Sequence, residues 1–281
     1  MAVKAPRVLQ VTPKQAAEWL ENNNENNRNI LVHVVDKYTR DMLAEPTRWV
    51  YTGDPIQFDT EGNLLNGQHR LSAVVQSGKS QKFLIIEGLD RVAQDSMDAN
   101  AVRTTGQQLQ LHGIKNGPQT TAVIRLLLKW NTGSIARKAS YSTAEVRDFL
   151  DENLSNINES MHWYYTIGGN IPLSRAAVGA FVFQLLELSQ NNPEFTSQED
   201  VMDFLGKMES GADLDPGHPI LTLRNTVLRQ RQSKVHRNAV RDTYSLVRTW
   251  NAYASGERYN KLLGPRDGVV MPSHLILKHM K

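Results

Sequence analysis

The sequence predicts an α+β protein with a mixed α/β front end and an all-helical back end. Over roughly the first 116 residues, segments with apolar residues at helical spacing alternate with apolar runs of strand length. Beyond about residue 117 the apolar patterns are helical throughout. A chain of 281 residues can bury one large core or two ordinary ones. The expected organisation is two domains, 1–116 and 117–281, with a soft boundary near Gly113 to Pro118.

In chain order, Thr12-Pro13-Lys14-Gln15 offers an N-cap threonine, a proline at the first helical position and a glutamine suited to a capping box. The helix they begin carries Ala16, Trp19 and Leu20 and gives way to the asparagine-rich stretch Asn22 to Asn29, which reads as a solvated loop. A second helix holds Leu31, Val34, Val35, Tyr38 and Met42. Trp49 to Phe58 is strand-like but interrupted by Gly53 and Pro55. Asp59 to Asn63 is a turn, and Leu64-Leu65 a short strand. Leu71, Ala73, Val74 and Val75 belong to a helix that Gly78 ends. Phe83 to Ile86 is a strand, and Arg91 to Met97 a short helix.

In the second half, Thr121 to Trp130 is strongly apolar, and Ser142-Thr143-Ala144-Glu145 is a capping box. Ser174 to Leu188 is apolar on more than one face, as expected of the central helix of a bundle. Thr196 to Met208 and Val235 to Tyr253 are amphipathic helices. No internal repeat is found.

Composition sets limits on function. Hydrophobic content of 40% and charged content of 22% are ordinary for a globular protein. A net charge of +3 is too small to establish nucleic-acid binding. With no cysteine, disulfides, thiolate metal sites and cysteine nucleophiles are excluded. Met1 to Gln10 has no signal-peptide apolar core, and no apolar run reaches membrane-spanning length, so no membrane partner and a cytoplasmic location are expected.

The chemistry-bearing segment is Asn66-Gly67-Gln68-His69-Arg70, where a short strand turns into a helix. That turn aims backbone N–H groups and the positive end of the helix dipole at one spot, as a phosphate requires. Gly67 permits close approach, Arg70 can clamp an oxyanion, and His69 is a donor or proton-transfer group. Read without context, the pentapeptide serves equally as a turn glycine with surface polar neighbours.

Asn66 to Ala73 resembles the "DGQHRLxA" element of ParB-like proteins, many of them encoded by phages and prophages. It is also similar to the GERRxxA box of partition ParB proteins and the GGCHR box of sulfiredoxins. Asn27-Arg28 resembles the arginine-bearing element before the second helix of this superfamily. Asp98 with Arg103-Thr104 is similar to a "D-x-G-x-x-R-T" segment, with Asn100 in place of the glycine. Trp250-Asn251-Ala252-Tyr253 followed by Gly256 resembles a tail found in phage members.

The resemblance covers residues 7–115 and implies a ParB/sulfiredoxin-like domain that binds a nucleotide, CTP or ATP in other members, and in some hydrolyses it or transfers phosphate. It implies that Asn66, Gly67, Gln68 and Arg70 surround the phosphates with His69 as a catalytic group. Arg28, Arg103 and Thr104 would close the pocket, and Asp98 would serve catalysis and a magnesium ion. Asp54 and Asp59 are other carboxylate candidates, though a turn or capping role suits them better. Gln68 stands where sulfiredoxins have their cysteine, which excludes sulfinic-acid reduction. Partition proteins have glutamate there, and their magnesium motif and helix-turn-helix find no counterpart in this chain.

From Thr222 to Trp250, Arg224, Arg229, Arg231, Lys234, Arg237, Arg241 and Arg248 face Asp242 as the only acid. Such a stripe fits a phosphate backbone, with Arg229, Arg231, Lys234, Arg237 and Arg241 as nucleic-acid contacts, and equally a solvated helix face. The expected protein is ParB-like, in host cytoplasm if phage-encoded, binding a nucleoside triphosphate with magnesium and acting on or with DNA as an NTPase or phosphotransferase. The alternatives are a non-enzymatic DNA-binding regulator and a metal-dependent nuclease. Nothing in the sequence speaks against a homo-oligomer.

Overall fold

The computed structural model describes residues 3–24, 27, 29–97, 103–133, 135–234 and 238–262. The chain divides into two compact units, residues 1–105 with 138–146, and residues 106–137 with 147–281. The division falls before 116/117, and a short segment from the second half of the chain joins the first unit. The class is α+β, a small mixed sheet with helices in the first unit and helices alone among the described residues of the second.

The first unit runs β1 (Arg7–Val11), α1 (Pro13–Asn22), α2 (Val32–Leu43), β2 (Ile56–Asp59), β3 (Leu64–Asn66), α3 (Gln68–Ser77) and β4 (Gln81–Leu89). A 3-10 helix, Arg91–Ser96, follows, and Thr105 opens α4 (Thr105–Leu111). The sheet order is β1-β4-β2-β3. β1 is antiparallel to β4, β4 parallel to β2, and β2 antiparallel to β3.

Thr12 caps α1 by accepting the Gln15 N–H at 3.2 Å, as the sequence suggests. Alternate β4 residues Phe83 and Ile85 join Ile56, Phe58 and Leu64 of β2 and β3 in one core, which Leu71 and Val74 of α3 close from above. α1 and α2 both pack on α3, so α3 is the inner helix of this unit.

Two local expectations are corrected. The strand-like stretch Trp49 to Phe58 is strand only from Ile56, because Gly53 takes φ +79° and Pro55 has no N–H for a ladder. The Asn22–Asn29 stretch is not simply a solvated loop: Asn23, Asn24 and Asn27 are half-buried against β3. β1, which sequence patterning did not single out, is a five-residue edge strand with only Val11 buried.

The second unit holds α4 apart from Thr105, α5 (Gly117–Asn131), the greater part of α6 (Thr143–Glu152), α7 (Leu154–Asn170), α8 (Arg175–Asn191), α9 (Gln198–Ser210), α10 (Pro219–Gln232) and α11 (Ala239–Ser255). α8 is buried on several faces and packs with α5, α7, α9 and α11, which makes it the central helix the sequence predicts. Phe204 of α9 and Trp250 of α11 meet edge to face at 5.2 Å in this core. The expected helix Val235 to Tyr253 begins at Ala239, where Asn238 caps it by accepting the Arg241 N–H. Val235 lies outside the described residues. Among the described residues no helix is long and apolar enough to cross a membrane.

Candidate functional site

The Asn66–Arg70 turn joins β3 to α3, so the strand-to-helix geometry expected of it is present. Gly67 adopts φ +116°, and a Cβ there would stand 2.4 Å from Ile56 Cδ1. The left-handed backbone therefore demands glycine, and any Cβ would also displace the tip of the Ile56 side chain. The N-cap residue of α3 is Gly67 itself, which brings no side-chain cap.

Around this turn the polar side chains are interlocked. Asn66 donates through Nδ2 to Gln57 Oε1 at 3.0 Å. Gln68, which is buried, accepts from Asn24 Nδ2 at 3.3 Å. Asn27 donates to the Leu64 carbonyl and to Asn24 Oδ1, and its own Oδ1 accepts from Gln94 Nε2 at 3.1 Å. An amide side chain can donate and accept at once, which is why a run of asparagines can satisfy the outer side of β3. Sequence reading missed Asn24 and Gln94 because nothing in their spacing marks them.

His69 is buried, and its Nε2 accepts the Leu31 backbone N–H at 3.0 Å. Leu31 is the N-cap of α2 and makes no side-chain cap of its own, so the imidazole secures the start of that helix. A nitrogen that accepts must carry no proton, which places the ring proton on Nδ1.

Arg70 lies one turn into α3. Its guanidinium donates to the carbonyls of Asp54 and Pro55 at 2.6 and 2.7 Å, pinning the segment before β2. Burial lowers its pKa, opposed by Tyr38 and the Asp54 carboxylate, and an arginine so placed keeps its charge. It lines a cleft of about 230 Å³ together with Arg48, Lys82, Tyr38, Trp49 and Tyr51. Trp49 is braced edge-on by Tyr38 at 5.6 Å and Phe83 at 5.8 Å.

Two acids also line the cleft. Asp54 is exposed and accepts from Thr52 Oγ1 at 2.9 Å, whereas Asp41 is buried and accepts from Ser142 Oγ at 2.8 Å. Burial raises the Asp41 pKa, with Glu145 adding to the rise and the Ser142 hydrogen bond, Lys37 and Arg48 opposing it. The signal for this cleft in the sequence is the cation–aromatic string Arg48-Trp49-Val50-Tyr51, whose Val50 and Tyr51 are exposed.

A triphosphate with magnesium is the implied ligand. Fully enclosing ligand pockets are larger, from roughly 300 Å³ upwards. At about 230 Å³ the cleft is large enough to enclose only part of such a ligand. The described carboxylates fit magnesium poorly. Asp59 is already engaged by the turn, taking the Glu61 and Asn63 N–H groups on Oδ1 and Asn63 Nδ2 on Oδ2. Among the described residues no group of three His, Asp or Glu side chains could hold a metal ion.

Arg28 and Asp98 lie outside the described residues, as does Arg237. Arg103 and Thr104 stand exposed before α4 and are not among the residues lining the cleft. In the second unit, Arg229, Arg231 and Lys234 are exposed at the C-terminal end of α10 and just beyond it. Arg241 is half-buried on the first turn of α11. Arg224 turns inward, donating to the carbonyls of Met208 and Glu209, and Arg248 lies half-buried over the Tyr259 ring.

Comparison with protein-family models, with characterised proteins and with solved structures gives no match for the chain.

Proposed function

We propose that this is a ParB-like protein whose first unit binds a nucleotide or related phosphate ester beside Arg70 and whose helical unit contacts DNA. The single observation that carries the ligand site is one cleft lined by three cations, Arg48, Arg70 and Lys82, and an aromatic wall. The strand–glycine–helix turn supports the same reading, since it sets Arg70, which lines the cleft, on the first turn of a helix. DNA contact rests on the exposed cations Arg229, Arg231 and Lys234.

One observation favours a ligand-sensing regulator over an NTPase or phosphotransferase. The Nε2 lone pair of His69, the proton-transfer group expected from the motif, already accepts the Leu31 N–H. Binding without turnover is the form of the proposal adopted.

Thermal unfolding of the full chain against ATP, CTP, GTP and inorganic phosphate, with and without magnesium, tests it. A ligand that binds only the folded state raises Tm by mass action. The expected result is a Tm increase with a nucleotide that is lost in Lys82→Ala, an exposed position on β4, without phosphate release from the bound ligand. No increase with any of these ligands would overturn the cleft as their site. Release of phosphate that depends on Arg70 would restore the enzyme reading.

A further inference from the structure

α10 has two contrasting faces. Pro219, Ile220, Leu223 and Val227 are buried in the second unit, which fixes the helix at its N-terminal half. On the opposite side Asn225, Leu228, Arg229 and Gln232 are exposed side by side. Their spacing is i, i+3, i+4 and i+7, so they form a single stripe along the helix. Arg229 Nε donates to the Asn225 carbonyl at 3.2 Å, laying the guanidinium along that stripe.

We infer that this stripe enters the major groove of duplex DNA and reads base edges. The inference rests on the DNA contact proposed above and adds to it a reading surface distinct from phosphate attraction. Charge identifies the partner: between Asp215 and Asp242 the sequence has no acid, and Arg231 and Lys234 stand exposed beside the stripe. An anionic polymer is the complement of such a surface.

The side chains match the base edges in kind. Asn and Gln amides pair in bidentate fashion with adenine N6 and N7, arginine with guanine O6 and N7, and an apolar group packs on the thymine methyl. Asn225, Gln232, Arg229 and Leu228 supply one of each type or a duplicate of it. From Asn225 to Gln232 the helix rises about 10 Å, close to three base steps of about 3.4 Å each. A helix of this width fits the groove of B-form DNA, which is about 12 Å across. Arg224, which the sequence groups with these cations, belongs to the fold because it clamps the end of α9.

The test is selection of duplexes from a random pool by the full chain, followed by anisotropy titrations of the enriched and scrambled duplexes. The wild type is expected to enrich a core of about three base pairs. Asn225→Ala with Gln232→Ala, both exposed and uncharged, is expected to lose about ten-fold or more of the preference for that core. Its affinity for scrambled duplex stays the same, since no cation is removed. Arg231→Ala with Lys234→Ala weakens both duplexes alike. If the wild type binds duplex with ordinary salt dependence but enriches no core, or the amide variant enriches the same core, base reading by α10 is overturned and the DNA contact stands. No duplex binding at any salt overturns both.

Discussion

The turn at Asn66–Arg70 and the end of α10 are both conspicuous in the sequence, and the structure uses them in opposite ways. At the turn the polar residues face inward. Gly67 packs on Ile56, Gln68 takes a bond from Asn24, His69 secures α2 and Arg70 pins the segment before β2. At the end of α10, Arg229, Arg231 and Lys234 stand out into solvent. The first region resembles a binding motif but carries much of the local fold. The second resembles an ordinary charged helix end and contributes little to the fold. The charge available for a ligand at the turn is what remains accessible of Arg70 with its neighbours Arg48 and Lys82.

Substitutions should separate the two regions sharply. Gly67→Ala combines a left-handed backbone with a clash on Ile56 and should destabilise the protein by about 2–4 kcal/mol, read from denaturant unfolding. His69→Leu removes the acceptor of the part-buried Leu31 N–H, an expected loss of about 0.5–1.5 kcal/mol in the same measurement. Stability changes near zero at both positions would mean that the turn is not structural.

Acid titration sharpens the contrast within the first unit. Burial pushes the Asp59 pKa up, but hydrogen bonds from the Asn63 side chain and backbone and the Glu61 backbone, with Arg91 at 3.8 Å, outweigh it and leave the pKa lowered. A carboxylate with a lowered folded-state pKa contributes stability that is present above its ordinary value of 3.8 and lost as pH falls through the folded pKa. Asp41 has the opposite sign. Its raised pKa costs stability above the folded value, and the cost is relieved as pH falls through that value. Asp59→Asn should therefore flatten the acid limb of the stability curve, while Asp41→Asn should steepen it, both followed by Tm against pH. The smallest stability effect belongs to the exposed cations: Arg231→Ala and Lys234→Ala should each stay within about 0.5 kcal/mol of wild type.

Much of the fold is legible in the sequence because its signals are local. The Thr12 cap, the Ser142–Glu145 capping box, the Gly78 stop and the multi-faced α8 all appear where residue patterns predict them. Register and sheet order depend on pairings far apart in the chain, such as Leu9 opposite Phe83, and no local pattern encodes them. β1 escapes notice because five residues with one buried side chain carry almost no periodic signal. The candidate site was legible in part. The turn and Arg70 stand out as a contiguous string, whereas the cleft gathers Tyr38, Arg48, Lys82 and Ser142 from four separate segments. The structural roles of His69 and Gln68 could not be read locally, since their partners Leu31 and Asn24 lie about forty positions upstream.

The most direct test of the contrast between the two regions is the salt dependence of duplex DNA binding by the full chain and by the variant Arg231→Ala, Lys234→Ala. Each phosphate contact contributes about 0.9 to the slope of log affinity against log salt. The expected result is a slope shallower by about 2 in the variant, with Tm unchanged. An unchanged slope, or a variant that no longer folds, would contradict the assignment of these cations to a phosphate backbone and not to the fold.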